Sequence, residues 1–176
     1  MGNPAVVSGA FRYPGPGSFA ALQGEVAGMS PSAARNDMGR FVGAIAGLDI
    51  GEWEELHTRT LDLSPLFVPY VGHAMWGENY RRGEFMAELK GVQREAGIDP
   101  AGELPDHIEP ILRYLDSVSD PLPDLLDVLP AAVETMIGQL KKAESDNPYR
   151  HLLAAVAHVV DDVVAATAAP MPGART

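Results

Sequence analysis

The chain has 176 residues and 18.7 kDa, with 46% hydrophobic and 21% charged side chains, which predicts one ordinary globular domain that needs no staples. It has no cysteine, which excludes disulfides, thiolate metal sites, cysteine-ligated iron–sulfur clusters and a cysteine nucleophile. Its 24 acidic and 13 basic side chains leave a net charge of −11 and a pI near 4.7, a surface that repels nucleic acid and anionic lipid and suits a basic partner.

The first 17 residues hold Pro4, Pro14 and Pro16 but no apolar stretch of signal-peptide type, so no targeting segment is expected there. Ser30-Pro31 reads as an N-cap followed by proline at the first helical position. Met38, Phe41, Val42 and Ile45 then recur at helical spacing. Ser64-Pro65 repeats the device ahead of a stripe of Leu66, Phe67, Tyr70, Val71, Ala74 and Met75, with Pro69 expected to kink or tighten its first turns. Phe85, Leu89, Val92 and Ala96 mark the next helix, with Gly97 as its stop.

Ile108, Ile111, Leu112, Leu115 and Val118 share one face, and Leu125, Leu129, Val133, Met136 and Leu140 extend the period past Pro130, a second expected kink. Asn147-Pro148 caps a last helix carrying Leu152, Leu153, Val156, Val160 and Val163. No continuous apolar run reaches the 18 residues of a membrane span; the most apolar stretch, 152–169, is broken by His158, Asp161 and Asp162. No strand alternation or Asn-Gly or Asp-Gly hairpin signal appears. The prediction is an all-α, single-domain bundle of six to eight helices over residues 1–169, with a disordered tail at 170–176.

The chemistry-bearing motifs are sparse. Glu54-Glu55-Leu56-His57 is one Glu-x-x-His, where a di-iron bundle needs two. His158 with Asp161 and Asp162 has ligand spacing but no evident third ligand. There is no Gly-x-Ser-x-Gly elbow and no phosphate-cradling glycine loop. The residues thus lean away from an enzyme and from any bound metal or cofactor. Two rival readings stay open, a helical metalloprotein or enzyme with a carboxylate–His centre built from Glu54, His57 and His158, and a generic helical adaptor.

Two segments stand apart. Trp76-Gly77-Glu78-Asn79-Tyr80-Arg81-Arg82-Gly83 packs aromatic, acidic and guanidinium groups into a helix junction. Glu103-Leu104-Pro105-Asp106-His107 reads as a helix start with its acids near the positive helix end. Residues 99–147 also hold 11 of the 24 acidic side chains against 3 basic ones, so most of the negative field begins beside this second segment. The charge reads either as solvated helix faces or as a surface for a basic partner.

Together the segments resemble the redox-enzyme maturation chaperones of the nitrate reductase delta-subunit group, the NarJ/TorD-like family. The matching elements are Gly77-Glu78 with Arg82-Gly83, then Glu103-Leu104-Pro105-Asp106-His107, flanked by Phe11-Arg12-Tyr13-Pro14 and by Asn147-Pro148-Tyr149 with Leu152-Leu153. Asn79-Tyr80-Arg81 replaces the Ser-Arg-Asp usual in respiratory nitrate reductase members and looks more like the branch serving dimethyl sulfoxide reductase relatives. The resemblance implies an all-helical cytoplasmic chaperone that is not an enzyme and carries no cofactor of its own. Its implied partner is the apo catalytic subunit of a molybdenum oxidoreductase, bound through its N-terminal or twin-arginine leader segment until the molybdenum cofactor is inserted; nucleic acid and stable membrane insertion are not expected. The residues it points to for peptide binding are Tyr70, His73, Trp76, Glu78, Tyr80, Arg82, Glu103, Pro105, Asp106 and His107, with Met75 on the apolar wall and Glu78, Glu103 and Asp106 meeting client arginines; Arg81 and Arg82, which would not meet a basic leader, are expected to pair with Glu78 or Asp106 and hold the groove open.

Overall fold

A computed structural model describes residues 3–168; the tail expected at 170–176 lies outside them. The fold is all-helical, with nine helices and no strands among the described residues, one helix more than the upper count expected. In chain order they are α1 (Pro4–Gly9), α2 (Ser18–Gly28), α3 (Ala33–Ile45), α4 (Ile50–Leu61), α5 (Val71–Trp76), α6 (Tyr80–Glu95), α7 (Ile108–Ser117), α8 (Pro123–Ala143) and α9 (Tyr149–Ala168).

α9 is central and packs against both α3 and α8, while α1 packs on α7 and α5 on α8. Tyr149, Leu152, Leu153, Ala155, Val156, Val159 and Val160 bury one face of α9. They meet Met38, Phe41 and Ile45 of α3, where the Phe41 and Tyr149 rings cross edge-to-face at 5.1 Å. By length and composition α9 could cross a membrane, but that same apolar face forms the core of this bundle.

Local chemistry sets the helix ends. Asp49 and Glu52 close a reciprocal capping box on α4. The Asn147 side chain caps α9 by accepting from Tyr149 N–H at 2.9 Å, while its amide donates to Thr60 Oγ1. Gly77 (φ +58°) and Gly97 (φ +71°) follow α5 and α6 in the left-handed region, as stops should.

Three expected boundaries move. The cap of α3 is Ser32, whose Oγ accepts from Arg35 N–H at 3.1 Å; Pro31 lies ahead of the helix, where its missing N–H costs nothing. The stretch 62–69 is irregular, not the first turns of a helix begun at Ser64-Pro65. A helix there would drive the Pro69 ring into the carbonyl of Pro65, four residues back, and would lack a donor for it. α7 begins at Ile108, three residues after Pro105, because the His107 imidazole is its cap: Nδ1 accepts from Glu109 N–H at 3.1 Å. α8 continues as one helix through Pro130.

Candidate functional site

The two segments singled out in the sequence meet. Tyr70, just before α5, is extended and forms an isolated antiparallel bridge with His107, just before α7. Val71 N–H donates to Asp106 C=O at 2.8 Å and Ile108 N–H to Pro69 C=O at 2.9 Å. The Tyr70 and His107 rings cross edge-to-face at 5.1 Å.

Beneath this bridge Arg82 of α6 reaches Asp106. Its Nε donates to Oδ2 at 2.9 Å and Nη2 to Oδ1 at 3.4 Å. The Asp106 side chain is 0% exposed and that of Arg82 11%. Such a pair is held as a unit, since removing either partner strands a buried charge. The Arg82 guanidinium also stacks over the Tyr70 ring at 5.6 Å. Gln93, three turns further along α6, donates its amide to Pro105 C=O at 2.8 Å, so α6 is tied to the second segment at both ends. Gly72 makes the approach possible: a Cβ there would stand 2.8 Å from Asp106 Oδ2 and 2.9 Å from Arg82 Cγ.

This geometry corrects one expectation. Asp106 cannot meet a client arginine, because it is sealed from solvent and already holds Arg82. Arg82 and Pro105 belong to the same internal latch. His73 and Arg82 share the exposed Glu78 carboxylate, each at 3.5 Å. Trp76 lies on another side of the junction, under the Arg81 guanidinium at 5.5 Å and against Phe85. There it faces a cleft of about 300 Å³ between α6 and α8, edged by Glu84, Glu88, Asp124 and Asp127. Tyr80 is 76% exposed and Met75 packs on the core.

Of the ten residues expected to bind peptide, Tyr70, Glu103 and His107 share one cleft, of about 270 Å³. Its other walls come from residues not expected to bind peptide: Arg12 and Tyr13 from the Phe11–Pro14 segment, His57 and Leu61 of α4, Asp62 after it, and Glu109 of α7. The Phe-Arg-Tyr-Pro run is the sequence signal for this wall; the Glu-x-x-His motif marks His57 only as a candidate metal ligand, and nothing local marks Asp62. Glu103 accepts from Tyr70 O–H at 2.9 Å. Burial, together with that bond and the Glu103 and Asp106 charges, pushes the Tyr70 hydroxyl up to about 12.

Two imidazoles line the cleft. Burial lowers the His57 pKa, with Asp62 opposing and His107 adding to the shift. Burial likewise lowers the His107 pKa, against Glu103, Glu109, Asp106 and Asp62. His57 Nδ1 is bonded to the Tyr149 hydroxyl at 2.9 Å. His158 pairs instead with Asp37, at 3.3 Å. Glu54, His57 and His158 thus form no common centre; among the described residues no group of three His, Cys, Asp or Glu could hold a metal ion.

No protein-family model matches the chain, and no curated protein matches it. The resemblance to the maturation chaperones rests on the motifs, their order and their spacing.

Proposed function

We propose that the chain is a client-specific chaperone for a molybdenum oxidoreductase. In this reading it works in the cytoplasm, catalyses nothing itself, and binds the N-terminal segment of the apo catalytic subunit until the molybdenum cofactor is in place. The branch serving dimethyl sulfoxide reductase relatives fits Asn79-Tyr80-Arg81 best.

The observation that carries the reading is the convergence of the two motifs. Residues 24 apart, Arg82 and Asp106, close one junction, and beside it lies a cleft with aromatic walls and carboxylates. Exposed Glu103 and Asp62 at this cleft suit arginines of a leader, each charge-assisted contact contributing about 1.5–3 kcal/mol. Tyr13 and Tyr70 supply flat apolar surface for the flanking residues. Seating a short segment in a helical groove by apolar anchors and charged edges is a common recognition mode.

Calorimetry against N-terminal peptides of the molybdoenzyme catalytic subunits encoded near its gene tests the proposal. Low-micromolar binding that weakens as salt rises is the expected result. No binding to any of them, with normal molybdenum-cofactor content in a deletion strain, would overturn it.

A further inference from the structure

We propose that the cleft at the Tyr70–His107 bridge is a subsite for one guanidinium, and that the chain's own Arg12 competes for it. The inference rests on the peptide-binding reading for its natural ligand, but not for its test. Arg12 lies at the lip, its Nε 3.2 Å from Glu109 Oε1, with its side chain 63% exposed. Glu109 does not need it. Arg113 already holds that carboxylate with two bonds, Nε to Oε1 at 2.9 Å and Nη2 to Oε2 at 3.0 Å. Arg12 is therefore a second cation on an acid whose charge Arg113 already meets, and it can leave without stranding anything. Its neighbour Tyr13 is 58% exposed and touches the cleft through an edge-to-face contact with His57 at 5.4 Å. The Phe11–Pro14 segment thus lies across the opening, with only its two ends, Phe11 and Pro14, buried.

The cleft itself is built to receive a ligand. His57 and His107 are 4% and 7% exposed, and both line it. Each has Nδ1 engaged, to the Tyr149 hydroxyl and Glu109 N–H respectively, while Nε2 of each has no partner among the described residues and is not sealed off. Because His107 Nδ1 accepts, the neutral ring carries its proton on Nε2, a donor suited to a peptide carbonyl. Asp62, exposed beside it, has no ion pair among the described residues, and Glu103 accepts only from Tyr70. A carbonyl acceptor next to a guanidinium is what one arginine residue of an extended segment presents. The volume, about 270 Å³, falls below the range of about 300–1,000 Å³ for whole small-molecule ligands and suits a single side chain with its peptide units.

The test is a titration of the full chain with N-acetyl-arginine amide at low salt, read on the imidazole resonances of His57 and His107. Arg12→Gln should bind this probe up to about fivefold more tightly than wild type, the scale of one exposed ion pair. Asp62→Asn, at an exposed position, should weaken it in either background. N-acetyl-citrulline amide, which has the same shape without the charge, should bind poorly to all variants. Equal or weaker binding by Arg12→Gln overturns the competition. Absence of any arginine binding, or citrulline binding as well as arginine, overturns the subsite. Because the probe is no client, a subsite that binds it while every leader peptide fails would sink the chaperone reading alone.

Discussion

Arg82 and Asp106, 24 residues apart, form an ion pair whose carboxylate is wholly buried. It joins the two motifs that the sequence presents as separate. Both residues act on the cleft from behind, by holding Tyr70 and His107 side by side.

Asp106→Ala should therefore lower stability by about 3–5 kcal/mol, because it leaves Arg82 buried without its acceptor. Urea unfolding is the measurement. The Arg82→Met, Asp106→Leu double variant should recover much of the loss, since apolar replacement of a buried pair is often neutral or better. A fully stable Asp106→Ala would show that Glu78 alone satisfies Arg82.

Gly72→Ala acts on the same latch by steric means. Its Cβ would sit 2.8 Å from Asp106 Oδ2 and 3.3 Å from Phe85 Cδ1, so the pair or the ring must shift. A loss of about 1–3 kcal/mol is expected, typical of overpacking. Gly83→Ala, with nothing within 4 Å of the added carbon, should be neutral or slightly stabilising in the same thermal melt.

Tyr70 offers a spectroscopic readout of the bridge. Its hydroxyl should titrate near 12, and Glu103→Gln should bring it down toward the ordinary value by removing both the bond and the charge that oppose ionisation. Ultraviolet pH titration, or the tyrosine ring resonances, would follow it. An unchanged value would mean that burial and the Asp106 charge set the shift without Glu103.

The two cleft histidines give stability a pH dependence with a fixed sign. Both have folded pKa values below the ordinary 6.5, so the unfolded chain takes up protons first as pH falls. Stability should be undiminished above pH 6.5 and should decline as pH drops below it, until the depressed folded pKa values are passed. His57→Gln should flatten that decline in denaturant midpoints measured from pH 7.5 to pH 5.

Much of the fold was legible because apolar side chains at helical spacing must share a face, as Met38, Phe41 and Ile45 do against α9. The irregular stretch at 62–69 escapes the pattern, since Leu66, Phe67 and Tyr70 keep a helical spacing that Pro69 forbids. Asp106 was legible as important but not as buried. Charge alone allows its pairing with Arg82, which would not meet a basic leader, but no local pattern reports that Asp106 is sealed from solvent. His57 and Asp62 were invisible as cleft residues for the same reason: only tertiary packing sets the end of α4 beside Tyr70.

The ties from α6 to the 105–106 segment have a kinetic consequence. α6 is 16 residues long, yet among its side chains only Phe85, Leu89 and Gln93 are buried. An element with so little apolar anchorage belongs to the part of a protein that opens first under native conditions. Arg82 and Gln93 then act as two clasps on a flap, and amide hydrogens along α6 should exchange faster than those of α9 and by a common rate. Loss of either clasp would accelerate exchange across the whole helix while leaving the α3–α9 core protected.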